Sequence, residues 1–448
     1  MDRAGADART QETSASPGFR PPHAMRPASS LRIALLGYRS NPYSGGQGIY
    51  IAALARALTD AGHRVDVISG PPYPELDDDL PLVRIPSLDL YAAPNHVTAL
   101  RPRHFRSATD LYEYFDMLTG GFPEPYTFGR RLTKWMLERA AAEGRRYDLV
   151  HDNQSLCPGL LRLGRLGLPV VATIHHPIQR DRDIALAHAS NWRARLLIRR
   201  WHRFVAMQER VVRRLPHLVT VSEASRTDIA DAFSVPAERI EVIHNGIDVD
   251  TWQPLADVPR RDDLLVTVAS ADQPLKGLRY LLEAFARLVP QRPALRLVVV
   301  GRLREDGETK PLLARLGIGD RVEFRHGLSR EALVRLYAEA TLAVVPSLYE
   351  GFGLPAAEAM ACGVPVISSR GGALPEVVGD AGLLVPPGDA PAIADAVTAL
   401  LDDPGRRAGL GARGRRRVVE QFSWSVAARR LGDYYGRVLA DRARSTGP

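Results

Sequence analysis

The chain contains few of the features that mark secreted or membrane-spanning proteins. Only two of its 448 residues are cysteines, Cys157 and Cys362, and both are predicted to lie in apolar helical or turn contexts. A disulfide framework is therefore not expected, and a reducing cytoplasm is the natural compartment. The sequence has no run of about eighteen apolar residues that would cross a membrane. Residues 1–30 lack the apolar core of a signal peptide, so we expect a disordered tail there.

Nucleic acid and metal ions are not expected as partners. The formal net charge of +8 favours anionic partners such as a nucleotide diphosphate or an anionic lipid surface. The arginines are dispersed or helical, however, and are not interleaved with stacking aromatics as in nucleic-acid-binding modules. The acidic run Asp77-Asp78-Asp79 lies between Pro74 and Pro81 in a predicted exposed loop, which indicates solvated charge more than a metal site.

Two successive alternations of strands and helices predict an α/β protein with two domains. A chain of 448 residues is too long for one core. The first alternation begins at Leu31 and the second at Leu264, with a hinge expected near 252–261. We expect a tail (1–30), two Rossmann-like parallel-sheet domains facing each other across a cleft (31–255 and 256–423), and a final helix that crosses back to the first domain (424–448).

The segment from Pro346 to Ile367 predicts a glycine-rich turn, a helix and a strand, and we interpret it as the centre of the site. The preceding apolar run 342–345 predicts a buried parallel strand. Gly351 and Gly353 allow the backbone of the turn to approach a ligand closely. A helix begins next to this turn at Leu354-Pro355, where N–H groups and the helix dipole favour a phosphate. This pattern predicts a diphosphate site that uses no metal and no cofactor.

Two carboxylates frame this turn, Glu350 before it and Glu358 inside the helix, eight positions apart. From the helix, Glu358 can accept hydrogen bonds from vicinal hydroxyls such as those of a ribose, whereas Glu350 faces the group attached beyond the phosphates. Together with residues 359–367, the segment resembles the Glu-x7-Glu signature of family 4 retaining glycosyltransferases of GT-B architecture, which include glycogen synthase-like and phosphatidylinositol mannosyltransferase-like enzymes. The resemblance covers about residues 31 to 440.

The resemblance implies a donor site assembled from several turns. The family has a Gly-Gly loop after its first strand, which Gly45-Gly46 matches, and a phosphate-binding Lys, which Lys276 matches. Where the family usually carries an Arg, this chain has Ser270, and Arg302 is a candidate replacement. The base of the nucleotide is expected near 326–327. The expected donor-binding residues are Gly45, Gly46, Ser270, Lys276, Arg302, His326, Gly327, Glu350, Gly351, Phe352, Gly353, Leu354 and Glu358.

Two histidines, His175 and His176, end a predicted strand of the first domain, at the edge where open α/β sheets bind ligands. His175 matches the family's Thr-x-His position, which contacts the transferred sugar, and the resemblance implies that it is catalytic together with Lys276 and Glu350. The segment 87–126 is either an acceptor-binding excursion or ordinary packing. The candidate acceptor residues are His176, Arg103, His104, Tyr112 and Tyr114.

Residues 191–215 predict one long basic amphipathic helix. Apolar side chains, including Trp192 and Trp201, lie on one side, and eight arginines crowd the other. Such a helix can lie on an anionic membrane surface, which would make the protein peripheral at the inner membrane face. Alternatively, it packs its apolar stripe on the sheet and leaves its arginines in solvent, which is the interpretation we favour.

The resemblance implies an enzyme that moves a sugar from a nucleotide-diphosphate-sugar donor to a hydroxyl acceptor with retention of configuration. A UDP-sugar is favoured and GDP-mannose is the other candidate, in the synthesis of a glycolipid, polysaccharide or glycoconjugate. Two other classes stay open: a non-catalytic nucleotide-sugar-binding protein, and an epimerase or phosphorylase of the same architecture. A pyridoxal phosphorylase needs a Schiff-base lysine, and the chain has just three lysines, Lys134, Lys276 and Lys310.

Overall fold

The computed structural model describes residues 30–42, 46–92, 105–143, 147–187, 189 and 191–445. Within these ranges the chain confirms the predicted α/β class, with two sheets in which all neighbouring strands run parallel. Residues 1–29 of the predicted tail and the candidate residues Gly45, Arg103 and His104 lie outside the described residues.

The first domain is built on a seven-stranded sheet with the order β3-β2-β1-β4-β5-β6-β7. Its strands are β1 (Arg32–Gly37), β2 (Arg64–Ser69), β3 (Leu82–Arg84), β4 (Leu149–Asn153), β5 (Val170–Thr173), β6 (His217–Thr220) and β7 (Ile240–Val242). Every residue of the central strands β4 and β5 is buried, as expected when helices cover both faces of a parallel sheet.

The helices of the first domain pack on both faces of its sheet. They are α1 (Gln47–Asp60), α2 (Ala108–Leu118), α3 (Glu124–Glu143), α4 (Pro158–Arg165), α5 (Ile178–Ala187), α6 (Trp192–Trp201), α7 (Arg203–Val212) and α8 (Glu223–Phe233). Side chains of α3, α4, α7 and α8 form one hydrophobic cluster with the sheet. Side chains of α1 form another cluster on the opposite face.

The second domain is built on a six-stranded sheet with the order β10-β9-β8-β11-β12-β13. Its strands are β8 (Leu264–Val268), β9 (Arg296–Val300), β10 (Val322–Arg325), β11 (Leu342–Val345), β12 (Val366–Ser369) and β13 (Leu383–Val385). Its helices are α9 (Leu278–Leu288), α10 (Thr309–Leu316), α11 (Arg330–Glu339), α12 (Leu354–Ala361), α13 (Leu374–Val378), α14 (Ala390–Leu401) and α15 (Pro404–Phe422). Two hydrophobic clusters again lie on the two faces of the sheet.

The last helix, α16 (Trp424–Ser445), crosses back to the first domain as predicted. Its side chains Leu431, Tyr435 and Val438 are buried in the cluster that α1 forms on the first sheet. The crossing begins where Ser423 pairs with Ile247 in an isolated parallel bridge. The C-terminal segment therefore closes the connection between the domains and contributes to the core of the first one.

The predicted single helix at 191–215 is wrong in two respects. The chain forms two helices, because His202 leaves helical geometry (φ −81°, ψ 11°) between α6 and α7. The helix α7 packs on the domain and buries residues such as Val205 and Val211, whereas α6 buries none of its residues and touches the domain through Arg200 and Trp201. The favoured packing interpretation thus holds for α7 and fails for α6, whose Trp192 side chain is 68% exposed. In the described ranges, no helix is long and apolar enough to cross a membrane.

We expect Gly246→Ala to lower the free energy of unfolding by about 1 to 3 kcal/mol. A Cβ atom at this position would lie 2.1 Å from the indole of Trp424, which stands at the start of α16. Chemical denaturation measures the change. Gly436→Ala is the control, because that position is exposed within α16 and a Cβ meets no atom within 4 Å. This control should gain stability by about 0.5 to 1 kcal/mol. Equal effects at both positions would contradict the packing argument.

Candidate active site

The candidate site lies where the carboxyl ends of several strands meet the facing domain. In the second domain, the turn after β11 carries Glu350 and leads into α12, while the turn after β8 carries Lys276. In the first domain, His175 follows β5. A Cβ added to Gly351 would lie 3.8 Å from the main-chain oxygen of His175, so the two sides of the cleft meet here.

Lys276 and Glu350 form an ion pair in this cleft. Lys276 Nζ lies 2.8 Å from Glu350 Oε1, and the Ser347 hydroxyl donates a second hydrogen bond of 2.7 Å to the same oxygen. The turn of Lys276 reaches the end of β11 because Gly277 has φ 64° and passes directly over the Pro346 carbonyl, where a Cβ would lie 2.0 Å from the oxygen. A glycine at position 277 therefore places the ammonium beside the predicted diphosphate turn.

The turn that carries Gly351, where a diphosphate is predicted to bind, ends in an uncapped helix N-terminus. Gly353 is the N-cap of α12 in left-handed geometry (φ 102°) and offers no side chain to the helix. The turn is supported from below, where Gly372 packs its backbone against Glu350 and the Ala373 N–H donates to the Glu350 carbonyl at 2.9 Å. An anion at this position would meet the positive end of the helix dipole with Lys276 beside it.

Glu358 lies in α12, and its carboxyl group makes no side-chain hydrogen bond to any described residue. Burial raises its pKa to about 8, and the nearby Arg330 lowers it only in part. Ionising Glu358 in these surroundings costs stability unless a ligand donates hydrogen bonds to the carboxylate. This is the environment expected of a group that accepts hydrogen bonds from ligand hydroxyls.

His175 is held by two neighbours of the first domain. Its Nε2–H donates to Asn153 Oδ1 at 2.7 Å, and its ring meets the edge of the Tyr50 ring with centroids 4.6 Å apart. Burial lowers the pKa of His175 to about 3, with a smaller contribution from His176, so the imidazole is neutral near pH 7. His176 itself is exposed and lies 3.3 Å from Asp181.

The other predicted donor residues occupy several positions around the cleft. Gly46 is exposed and caps α1 with φ 73°, while Ser270 is exposed just beyond β8. Arg302 follows β9, is exposed, and forms no ion pair with any described residue. His326 and Gly327 are exposed after β10, and Leu354 is 42% exposed.

The side chains of Phe352, Tyr112 and Tyr114 have packing partners that the sequence did not indicate. The Phe352 ring is buried against Phe422, so only its backbone remains for a donor. Tyr112 packs on Tyr126, which belongs to α3, and Tyr114 packs on Phe105 and Phe115. The contacts recorded for these tyrosines therefore lie around α2 and α3, and their relation to an acceptor stays a prediction.

Sequence reasoning missed the residues that hold the cleft together. Both Ser222 and Ser225, at the start of α8, donate hydroxyl hydrogen bonds to the Gly351 carbonyl, at 2.6 and 3.0 Å. Glu376 of the second domain accepts the main-chain N–H groups of residues 223 and 224 at 2.8 and 2.9 Å. The helix start of one domain thus binds the carboxylate and the turn of the other. A Ser-x-x-Ser pattern after a strand was the available signal, but it indicates a helix cap and not its partner.

Asp272 is a second residue that sequence reasoning missed. It adopts φ 63° in the turn between Ser270 and Lys276, and its carboxylate accepts hydrogen bonds from the N–H and hydroxyl of Thr309 at 2.9 and 2.8 Å. This contact ties the Lys276 turn to the start of α10 and to the loop that carries Arg302.

Among the described residues, no group of three or more His, Cys, Asp or Glu side chains has the arrangement of a metal site.

Two family models match the chain. The model described as Glycosyltransferase Family 4 matches residues 44–251, and the model described as Glycosyl transferases group 1 matches residues 256–417. The chain is 47% identical over 409 residues to the MMP alpha-(1->4)-mannosyltransferase of Mycolicibacterium hassiacum, covering 90% of this chain and 98% of that protein. It is 30% identical over 448 residues to the D-inositol 3-phosphate glycosyltransferase of Salinispora tropica, covering 92% and 86%.

A solved structure shares the whole fold. The sucrose-phosphate synthase from Thermosynechococcus elongatus superposes with a TM-score of 0.65 at 27% identity, over 92% of this chain and 100% of that one. The chain therefore belongs to the family 4 glycosyltransferases of GT-B architecture. The resemblance derived from the Glu-x7-Glu segment is confirmed.

Glu358→Gln should change how stability depends on pH. Between the ordinary carboxyl pKa of 4.5 and the raised pKa of about 8, the folded wild type binds more protons than the unfolded chain. Wild-type stability therefore falls as pH rises through this window, and the variant lacks this loss. We expect the variant to be the more stable protein at about pH 8.5, by about 1 to 3 kcal/mol, and the difference to shrink towards pH 4.5.

Guanidinium unfolding of both proteins across this pH range measures the difference. Glu420→Gln, at an exposed position of α15, is the matched control and should leave the pH dependence as it is. A difference between wild type and Glu358→Gln that stays constant with pH would show that the Glu358 carboxyl ionises as freely in the folded state as in the unfolded one.

Proposed function

We propose that this glycosyltransferase moves a mannosyl unit from a nucleoside-diphosphate mannose to a hydroxyl acceptor, with retention of configuration and without a metal ion. The observation that carries the proposal is the 47% identity, over 90% of the chain, to a protein named as an alpha-(1->4)-mannosyltransferase. Nucleotide donors carry mannose in α linkage, so an α product corresponds to retention. We take guanosine diphosphate as the first candidate nucleotide, with the uridine donor favoured from sequence as the competitor.

Donor binding would use the charges already paired in the cleft. The diphosphate would lie at the start of α12 and compete with Glu350 for Lys276, which lies 2.8 Å from that carboxylate. Release from the ammonium would leave Glu350 to accept hydrogen bonds from the sugar hydroxyls. Glu358, which has no side-chain partner among the described residues, would accept the ribose hydroxyls. Arg302 would supply the second cation that the family usually has at the position of Ser270.

The chemistry proposed is a same-face substitution at the anomeric carbon. The bond between this carbon and the diphosphate oxygen breaks, the acceptor oxygen forms the new bond, and the acceptor proton passes to the departing diphosphate. Lys276 and the N-terminus of α12 would stabilise the negative charge that builds on the phosphate, which is the main electrostatic requirement of this step. Neutral His175, on the opposite side of the cleft, would orient the sugar and the incoming hydroxyl without adding charge.

A donor panel tests this proposal. Wild-type protein should consume GDP-mannose slowly by hydrolysis in the presence of a chelator, in preference to UDP-glucose, UDP-N-acetylglucosamine and ADP-glucose. Lys276→Ala should reduce the turnover by about 10²- to 10³-fold, because it removes charge stabilisation at the phosphate. Glu358→Ala should mainly weaken donor binding. Lys310→Ala is the matched control, because Lys310 is exposed and pairs with Glu305 outside the cleft.

The outcomes separate the candidate functions. Turnover of a uridine donor alone would replace the mannosyl assignment but keep the transferase. Donor binding without turnover, even when a cell extract supplies acceptors, would favour the non-catalytic nucleotide-sugar-binding protein. The anomeric signal of the product in a proton spectrum decides between retention and inversion.

We also propose that the first domain contacts an anionic membrane through α2 and α6. The two helices meet where Arg200 donates to the Asp116 carboxylate at 2.7 Å. Their exposed apolar side chains form what we call the α2–α6 surface: Leu111, Phe115, Leu118, Trp192, Leu196 and Leu197, each between 41% and 68% exposed. Arginines 193, 195 and 199 of α6 lie among these side chains in sequence. Apolar insertion combined with cationic attraction is the usual basis of such contacts.

Vesicle sedimentation tests the membrane contact. Wild-type protein should sediment with phosphatidylglycerol vesicles, less so with phosphatidylcholine vesicles, and less at high salt. The double variant Trp192→Ser, Leu196→Ser should lose about 10-fold or more in vesicle affinity, given the apolar area that it removes. Leu166→Ser is the control, because Leu166 is 55% exposed at the end of α4 and not on the α2–α6 surface. Equal sedimentation of all three proteins would refute the contact.

A further inference from the structure

Buried polar side chains form a hydrogen-bonded series, which we call the polar chain, that runs from the crossing helix α16 into the first sheet. His151, in the middle of β4, is fully buried. Its Nδ1 shares a hydrogen bond of 2.5 Å with the Tyr435 hydroxyl of α16, and its Nε2 shares one of 2.7 Å with the Thr173 hydroxyl at the end of β5. Tyr435 and Thr173 are fully buried as well. Since neutral imidazole has one donor and one acceptor nitrogen, both of its hydrogen bonds are satisfied in either tautomer.

The polar chain continues to the active-site edge of the sheet. The hydroxyl of Tyr50, which belongs to α1, interacts with the Thr173 side chain, and this interaction partly offsets the burial that raises the pKa of Tyr50 to about 12. The Tyr50 ring lies between two other rings. It meets Trp424, at the start of α16, with centroids 5.6 Å apart, and His175 with centroids 4.6 Å apart and planes at 84°. Tyr50 is thus held by rings on two sides, and its hydroxyl interacts with Thr173.

Burying three polar side chains between the first sheet and α16 has a cost that an apolar core avoids. A buried hydroxyl or imidazole without a partner loses the hydrogen bonds that it makes with water, so the hydrogen bonds of the polar chain recover this cost but gain little beyond it. Apolar side chains of similar size would fill the same space. The arrangement is therefore better explained by the position it gives to Tyr50 than by stability.

We propose that Tyr50 is a positioning residue for His175, and that the chain of Tyr435, His151 and Thr173 holds Tyr50 in place. Asn153 fixes the protonated ring nitrogen of His175 by its hydrogen bond of 2.7 Å, and Tyr50 fixes the plane of the ring. What His175 does during transfer rests on the proposed function, whereas its tautomer and ring orientation are properties of the free protein.

The position of Trp424 gives this arrangement a further consequence. Trp424 packs directly on Gly246, beside the bridge between Ile247 and Ser423 that joins the two crossing segments of the chain. A displacement of this crossing would reach His175 through one intervening ring, Tyr50. The geometry thus couples the connection between the domains to the active-site histidine.

The first test observes His175 in the free protein. Nitrogen-15 spectra of the histidine side chains report which ring nitrogen carries the proton, and His175→Gln assigns the signal. The wild type should show one tautomer, protonated at Nε2. Tyr50→Leu, which removes the ring, should give a mixture of tautomers or a broadened signal. Tyr435→Phe and Thr173→Val, which remove one hydroxyl each, should give smaller changes of the same kind. Tyr434→Phe should leave the His175 signal unchanged, because the Tyr434 ring lies against Arg437 and is not part of the polar chain.

The second test measures turnover with the donor that the wild type accepts. We expect Tyr50→Leu to lower kcat by about 10- to 100-fold, as a misplaced active-site group does, with the donor KM within about twofold of the wild type. In the background of His175→Ala, the same substitution should cause no further loss, because the residue acts through His175. Circular dichroism and thermal unfolding identify any variant that fails to fold, in which case Tyr435→Phe takes its place.

The proposal is overturned if the His175 signals of Tyr50→Leu, Tyr435→Phe and Thr173→Val all equal that of the wild type, or if the losses from Tyr50→Leu and His175→Ala multiply as independent effects do. Absence of turnover with every donor would count against the proposed function alone, since the spectra of the free protein still decide the positioning role.

Discussion

The ion pair of Lys276 and Glu350 is the contact on which the donor side of the cleft depends. It joins the turn after β8 to the turn after β11, which lie 74 positions apart in the chain. The pair forms because Gly277 lets the first turn pass over the Pro346 carbonyl and because Ser347 holds the same carboxylate oxygen. A ligand anion that attracts Lys276 must weaken this pair. An anion in the cleft would therefore attract the Lys276 ammonium and leave the Glu350 carboxylate without its cation.

Desolvation shifts the pKa values of Glu358 and His175 in opposite directions. Burial raises the pKa of Glu358 to about 8 and lowers the pKa of His175 to about 3, so both favour their neutral forms. A diphosphate at the helix terminus, where we predict it to bind, would meet no charge repulsion from Glu358 in its neutral form.

The facing domains meet through the start of α8. Two hydroxyls bind the carbonyl of Gly351, and two main-chain N–H groups bind Glu376, so the turn that carries Gly351 is oriented by hydrogen bonds from the opposite domain. Tyr349 adds a hydrogen bond to Asp228, and the Arg180 guanidinium lies 4.8 Å from the centre of its ring. The position of the turn is therefore a property of the two domains together, and the crossing helix α16 completes their connection on the other side.

The sequence by itself determined the α/β class, the two sheets, the crossing helix and the glycine-rich turn between Glu350 and Glu358, because each is specified by local periodicity, glycine placement or a short motif. Tertiary structure alone decided what those elements touch. Gly351 and Ser222 lie 129 positions apart, and His151 and Tyr435 lie 284 apart, so no local pattern reports either contact. The helix predicted at 191–215 shows the same limit, since its apolar stripe is equally visible where α7 is buried and where α6 is exposed. The spacing of apolar residues specifies that a helix has an apolar face, whereas only the packing of the whole chain determines whether other elements cover that face.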